Sequence, residues 1–269
     1  MHQSWWPSRF GADDQLGMLN HVDDAKRAEA LSLVREGRLY DLGRILDETV
    51  PVFPGRYFRQ TLVSTAHHDG GNWITEIVTG TQQLGTHLDT LGHLQIGHRG
   101  YNGWTVEDLA GGAGLKRLGA ETVPQIVTCG HLVDVAPLGI GDAIGPEAID
   151  GRDIRAGDAV LFHTGWGSRW DDADAYLAGQ PGPGMALAQR LASLGVALTG
   201  CDTWSYGPVP SDPPFEVPQV LNAHHGVFVA ENLDLYALAA DGVREFALIL
   251  THPRLRGATG AWTSPIALV

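Results

Sequence analysis

Turn residues punctuate this chain from end to end, and that limits its folding options more than any other feature. The 35 glycines and 15 prolines are scattered along 269 residues rather than gathered into a linker. Between them sit short apolar runs of strand length. Leu39 to Leu46, Tyr57 to Ser64, Trp73 to Val78 and, after Thr79-Gly80, Gln82 to His87 read as strands. Gln125 to Asp134, Ala159 to Thr164, Ala197 to Cys201, Val227 to Ala230 and Phe246 to Thr251 read the same way. Helical spacing is scarcer. Asp23 to Glu36 has apolar residues at Ala25, Ala28, Ala30, Leu31, Leu33 and Val34, a spacing read as an amphipathic helix with Asp23 or Asp24 as the start signal and a stop near Gly37. Val106 to Leu109, Gly184 to Leu194 and Ile144 to Ile149 are the other helix candidates. Strands outnumber helices, which predicts a mixed α/β protein with a sheet or barrel-like core and helices packed outside it. With no internal repeat or low-complexity tract, residues 1–269 read as a single domain with an N-terminal aromatic arm over about residues 1–22 that carries Trp5 and Trp6.

Charge narrows the function classes. Eighteen basic against 31 acidic residues give a net charge of −13, and no lysine or arginine run interrupts that field. Phosphate backbones and anionic lipid surfaces are repelled by such a chain, so neither nucleic acid nor membrane is an expected partner. No apolar run approaches the roughly 20 residues of a membrane span. The start, MHQSWWPSRFGADDQ, has neither a basic nor an apolar leader region, so the cytoplasm is the expected location. Cys129 and Cys201 form no metal-type pair and read as small buried thiols. No Gly-x-Ser-x-Gly elbow and no glycine-rich phosphate loop is present.

The chemistry concentrates in TQQLGTHLDTLGHLQIGH, Thr81 to His98, where His87, Asp89 and His93 fall within seven residues. Extended backbone sends alternate side chains to one face, so Gln83, Gly85, His87 and Asp89 would share a face. An imidazole and a carboxylate so placed can close on one cation. Gly85 would leave room for an ion or substrate, and His93, beyond the turn Thr90-Leu91-Gly92, could curl back as a ligand or a general base. A structural reading stands beside this one, because His-x-Asp in a strand is often merely hydrogen-bonded.

GTHLDTLGH resembles the His-x-Gly-Thr-His-x-Asp-x-Pro-x-His signature of the cyclase-type metal-dependent hydrolases, a superfamily that includes kynurenine formamidases and isatin hydrolases. WWPSRFGADDQLGMLNHV, GDAVLFHTGW, GVALTGCDTWS, GVFVAENLDL and GATGAWTSPIAL follow in the family's order, so the likeness spans the chain. The resemblance implies a swivelling β/β/α fold. It makes His87 and Asp89 metal ligands and His93 the proton donor and acceptor. Gln219, 12 residues before Glu231, falls where one branch carries a ligating histidine and another a glutamine, so it is taken as the third ligand. Glu231 matches an acidic residue that helps hold a second ion in two-metal members. Asp202 and Thr203 match a pair that buttresses the site.

Three departures matter: Gln83 replaces the first signature histidine, Leu91 replaces the proline, and Gln219 replaces the distal histidine. Amides for imidazoles weaken a dizinc site. The expectation is therefore one divalent ion, Mn²⁺ or Zn²⁺, with Gln83 and Glu231 outside the direct ligands. The function implied is hydrolysis of an amide, ester or lactone bond in a small, cyclic carbonyl substrate. In it, the ion lowers the pKa of water and His93 takes the proton. Kynurenine formamidase activity is disfavoured by the incomplete two-metal ligand set. A metal-dependent cyclase or dehydratase of a polyketide-like metabolite and a non-catalytic metal-binding protein stay open.

Trp5, Trp6 and Trp204 could form an aromatic lid, and His98, His163 and Trp166 could border a substrate pocket, although core packing fits His163 and Trp166 equally well. His67 and His68 sit in a polar hairpin tip, and His224 and His225 read as surface or helix-end residues. In relatives the N-terminal arm crosses a dimer interface, so a homodimer or higher homo-oligomer is expected.

Overall fold

The computed structural model describes residues 5–66 and 72–269; His67 and His68 lie outside the described residues. The core is a nine-stranded mixed sheet. In chain order its strands are β1 (Leu39–Asp41), β4 (His87–Asp89), β5 (Ile126–Asp134), β6 (Ala159–His163), β7 (Leu198–Cys201), β8 (Phe228–Glu231), β9 (Glu245–Leu250), β10 (Gly260–Trp262) and β11 (Ile266–Leu268). The remaining two of this numbering, β2 (Phe58–Ala66) and β3 (Asn72–Gly80), pair only with each other. Across the sheet the order is β1-β11-β9-β5-β6-β7-β8-β4-β10.

The four central strands, β5 to β8, run parallel, and antiparallel strands close both flanks. Parallel strands covered on both faces are apolar throughout rather than alternating, and Ala159-Val160-Leu161-Phe162 in β6 is buried at every position. Helix α2 (Met185–Leu194) buries Leu187, Ala188, Leu191 and Ala192, and stops where Gly195 takes a left-handed conformation. Helix α1 (Asp24–Leu31) starts where the Asp23 side chain accepts from the Lys26 amide.

Several elements are shorter than their sequence pattern. Helix α1 ends at Leu31 rather than Glu36, and Leu33 and Val34 instead pack beside Ala30, Cys129 and Ala247. The strand expected over Leu39 to Leu46 pairs only through Asp41, because beyond Leu42 the chain turns away and the Arg44 amide donates to the Thr86 hydroxyl. The strand expected over Gln82 to His87 begins only at His87. Gly85, at φ +54°, breaks the extended run just before it. A helix at Glu216–Gln219 (α3), continued by a π-helical turn over Val220–His224, has no apolar period to announce it.

The β2–β3 ribbon stands apart from the main sheet. Its register puts Leu62 and Ile74 on one face and Trp73 and Ile77 on the other. All four are exposed, Leu62 and Ile74 at 69% and 74%. Among the described residues no helix is long and apolar enough to cross a membrane.

A buried polar clamp docks α1 on the sheet. Lys26 Nζ donates to Asp158 Oδ1 at 2.9 Å and pairs with Glu29 at 2.8 Å, while His131 Nε2 lies 3.0 Å from Asp158 Oδ2. Burial opposes the Asp158 carboxylate, but hydrogen bonds from His131 and Lys26 outweigh it and hold its pKa below the usual value. Its stabilisation is therefore complete above the unfolded carboxylate pKa of about 4 and is lost as pH falls through the depressed folded value. Asp158→Ala, which strands a buried ammonium and imidazole, should cost about 3 kcal/mol in urea denaturation at pH 7. The difference from the parent protein should shrink in acid.

Candidate metal centre

Strand β4 lies between β8 and β10, antiparallel to both, with His87 opposite Glu231 on one side and opposite Trp262 on the other. Two residues on, Asp89 sends its side chain to the same face as His87. All three acidic and imidazole groups are buried, at 1% exposure for His87, 2% for Asp89 and 5% for Glu231. His87 Nε2 is 3.3 Å from Glu231 Oε2 and 3.6 Å from Asp89 Oδ1. One donor atom from each residue lies within 4.8 Å of the others, a spread that one cation can span.

The donors are also free for a cation. His87 Nδ1 lies 2.9 Å from the Gly85 carbonyl, which fixes the proton on Nδ1 and turns the Nε2 lone pair inward. Among the described residues, buried His87 Nε2 and Asp89 Oδ1 have no hydrogen-bond partner, since Glu231, though close, does not meet Nε2 in hydrogen-bonding geometry. Buried polar atoms are usually satisfied, and here two unsatisfied donors stand with Glu231 in one group that could hold a cation. An imidazole with two carboxylates suits a divalent ion of the Mn²⁺ or Zn²⁺ type. The residues present fit such an ion.

Electrostatics agree. Burial disfavours the His87 imidazolium, but the carboxylates of Glu231 and Asp89 outweigh it and raise the His87 pKa. Burial, then the Asp89 charge, push the Glu231 pKa up, with His87 pulling it part of the way back. His87 and Glu231 thus hold protons that a cation would displace.

His93 returns to this cluster through a tight turn in which its amide donates to the Thr90 carbonyl. Its Nε2 is 3.8 Å from Asp89 Oδ1, and its ring is partly open to a cavity of about 220 Å³. Gln83 is buried beside it, with Nε2 donating to the Thr259 hydroxyl at 2.9 Å and lying 3.5 Å from His93 Nδ1. A side chain at Gly260 would come within 2.6 Å of that amide, so Gly260 is what makes space for Gln83. Gly85 has a different task from the one its pattern suggests. Its Cβ would sit 2.0 Å from Leu46 Cδ2, so the missing side chain admits Leu46 rather than an ion.

Gln219, from α3, lines the same cavity as Asp89, His93 and Glu231. The structure places Glu231 beside His87 and Asp89, and Gln219 in the wall of the cavity they share. Trp204 lines this cavity too, with Phe53 and Phe215 at ring separations of 5.7 Å and 6.1 Å. Phe53, Arg56 and Phe215 escaped the sequence reading because they sit in loops with neither period nor motif. Asp202 accepts from the Thr164 amide and hydroxyl and from the Gly167 amide.

The other pocket candidates lie outside the cavity. Trp5 packs against Trp6 and His224 and lines a separate cleft with Tyr101. Trp6 is wedged over Gly103, where a Cβ would meet it at 2.4 Å. His98 is exposed at a turn whose carbonyl accepts from Val106. His163 is drawn to Asp134 at 2.8 Å and opens on another cleft beside Arg44. Trp166 is a core residue, 1% exposed, with Nε1 donating to the Tyr176 carbonyl.

The family model described as "Putative cyclase" matches residues 40–208. The chain belongs to the cyclase family. The whole fold agrees with that: a structure described as a novel cyclase superposes with a TM-score of 0.90 at 25% identity, covering 98% of this chain and 99% of that one. Isatin hydrolase A from Ralstonia solanacearum shares the fold at a TM-score of 0.67 and 19% identity, over 86% of this chain and 92% of that one. So does a "predicted metal-dependent hydrolase" from Bacillus stearothermophilus, at 0.60 and 20%, over 86% and 97%. No curated protein gives a significant match. In this cyclase-family chain the signature strand is β4, and the acidic partner comes from the AENL segment in β8.

If the buried triad binds the ion, Glu231→Gln should weaken Mn²⁺ binding by tenfold or more in titration calorimetry, and Gln219→Ala should weaken it less. Because the pKa values of His87 and Glu231 are both raised, protons compete more strongly as pH falls, and Mn²⁺ affinity should rise with pH.

Proposed function

We propose that this cyclase-family protein is a metal-dependent hydrolase that cleaves an amide, ester or lactone bond in a small carbonyl substrate. The observation that carries this reading is the pair of orphaned, buried donors, His87 Nε2 and Asp89 Oδ1, facing Glu231 beneath an open cavity. The isatin hydrolases and the "predicted metal-dependent hydrolase" that share the fold support it. His87, Asp89 and Glu231 would hold one Mn²⁺ or Zn²⁺ ion per chain, with Gln219 near enough to the cavity to assist. Such an ion, when bound, supplies Lewis-acid polarisation of a carbonyl and makes water more acidic.

The remaining work falls to the protein's own side chains. His93, at the cavity edge beside Asp89, takes a proton from the attacking water at Nε2. It then returns that proton to the departing nitrogen or oxygen as the carbonyl–heteroatom bond breaks. For Nε2 to be the base the neutral ring carries its proton on Nδ1, so Gln83, anchored beside Nδ1 at Thr259, would present its amide oxygen there and hold Nε2 toward the cavity. Phe53, Trp204 and Phe215 exclude water and pack a flat substrate.

A second reading, ring closure or dehydration in the same cavity, is favoured by the similarity to the structure described as a novel cyclase. Product mass separates the two, since hydrolysis adds one water and cyclisation does not. Exposed apolar side chains on both faces of the β2–β3 ribbon support self-association into a homodimer. A light-scattering mass of two chains is expected, and a 28.8 kDa species would contradict it.

His93→Ala should keep its metal and lose about 10²–10⁴-fold in turnover against a panel of amides and lactones. Unchanged turnover in the metal-replete variant would remove His93 from the mechanism.

A further inference from the structure

The cavity holds a charge that the hydrolytic reading does not use. Arg56 lines it from the turn before β2, where the Arg56 amide donates to the Phe53 carbonyl. Its guanidinium lies 5.6 Å from the centre of the Phe53 ring, and Nη1 donates to the Gln83 carbonyl. That is its one side-chain hydrogen bond among the described residues, although a guanidinium carries five N–H donors. No carboxylate is within ion-pairing distance of it among the described residues, not even Asp89 or Glu231, which share the cavity. Arg56 is thus not placed to neutralise the ligand cluster.

Setting histidine aside, Arg56 is the only cationic side chain lining this cavity among the described residues. In a chain of net charge −13 the overall field repels anions, so an anionic ligand would need a permanent positive charge close at hand. The guanidinium sits over the Phe53 ring and is tied by one backbone bond. That leaves its other N–H groups to meet a planar acceptor, the geometry at which arginine outperforms lysine.

We infer that Arg56 is an anion-recognition point, and that the preferred substrates carry a carboxylate or similar anionic group away from the carbonyl that reacts. This rests on the metal-hydrolase reading for the position of the reacting end and adds the chemistry of the other end. In its absence, Arg56 would be only a strut holding the Phe53 turn against Gln83. A strut affects neutral and anionic ligands alike, whereas a recognition point separates them.

Benzohydroxamic acid and its 3- and 4-carboxy derivatives make that separation, because all three present the same metal-binding end and only two carry a remote carboxylate. Their affinities for the Mn²⁺-loaded protein are measured by calorimetry, with Arg56→Gln and Arg56→Met alongside. At least one carboxy derivative should bind about tenfold or more tighter than the parent compound. That gain should shrink as salt is raised and vanish in both variants while parent affinity holds. A gain that is absent from the unmodified protein, or that survives in the variants, overturns the inference. An equal loss of parent and carboxy compounds in both variants marks a strut and overturns it too. Failure of the parent compound to bind the unmodified protein would instead strike at the metal reading, and this inference would fall with it.

Discussion

The pairing of β4 against β8 is the constraint on which the site depends. Only the register that sets His87 opposite Glu231 brings imidazole and both carboxylates to one point. A slip of one residue would turn Asp89 and His87 to the other face. Thr86, just before the strand, locks that register. Its hydroxyl donates to the Asn232 carbonyl and accepts from the Arg44 amide, and its carbonyl accepts from Thr263. Asn232, next to Glu231, is in turn held by the Tyr176 hydroxyl and by its own amide bond to Thr203. The Asp-Thr pair at Asp202 and Thr203 therefore acts on the site through β8 rather than by touching it.

Much of the fold was legible because its central strands are short, largely apolar runs. Ala159 to Phe162 could scarcely be anything but a covered strand, and Met185–Leu194 has a helical stripe and a glycine stop. His87 and Asp89 were legible as a pair because period two is a local property. Glu231 was harder: it stands 142 residues beyond Asp89 in sequence, and only strand pairing brings it within reach of His87. Gln219 lay in a short helix with an irregular π turn, where no periodicity ties it to the cavity.

The misplaced residues share a cause. Trp166 and His163 stand near the signature segments in sequence, but the side chains are claimed by Tyr176 and Asp134 before they can reach the cavity. Trp5 and Trp6 are spent on the packing of the arm against His224 and Gly103. The walls come from Phe53, Arg56 and Phe215, three loop residues whose importance is purely spatial. The result is a cavity with two chemically different ends. One is a dense acidic cluster that a divalent cation would balance, and the other is a guanidinium among aromatic rings.

The central claim is that β4 and β8 together grip one divalent cation. Anomalous diffraction at the manganese edge from crystals grown with Mn²⁺ addresses it most directly. The account predicts one peak per chain, roughly 2.0–2.3 Å from His87 Nε2 and from oxygens of Asp89 and Glu231. A map with no peak there, His87 closed onto the two carboxylates and those donors satisfied by one another, would contradict it.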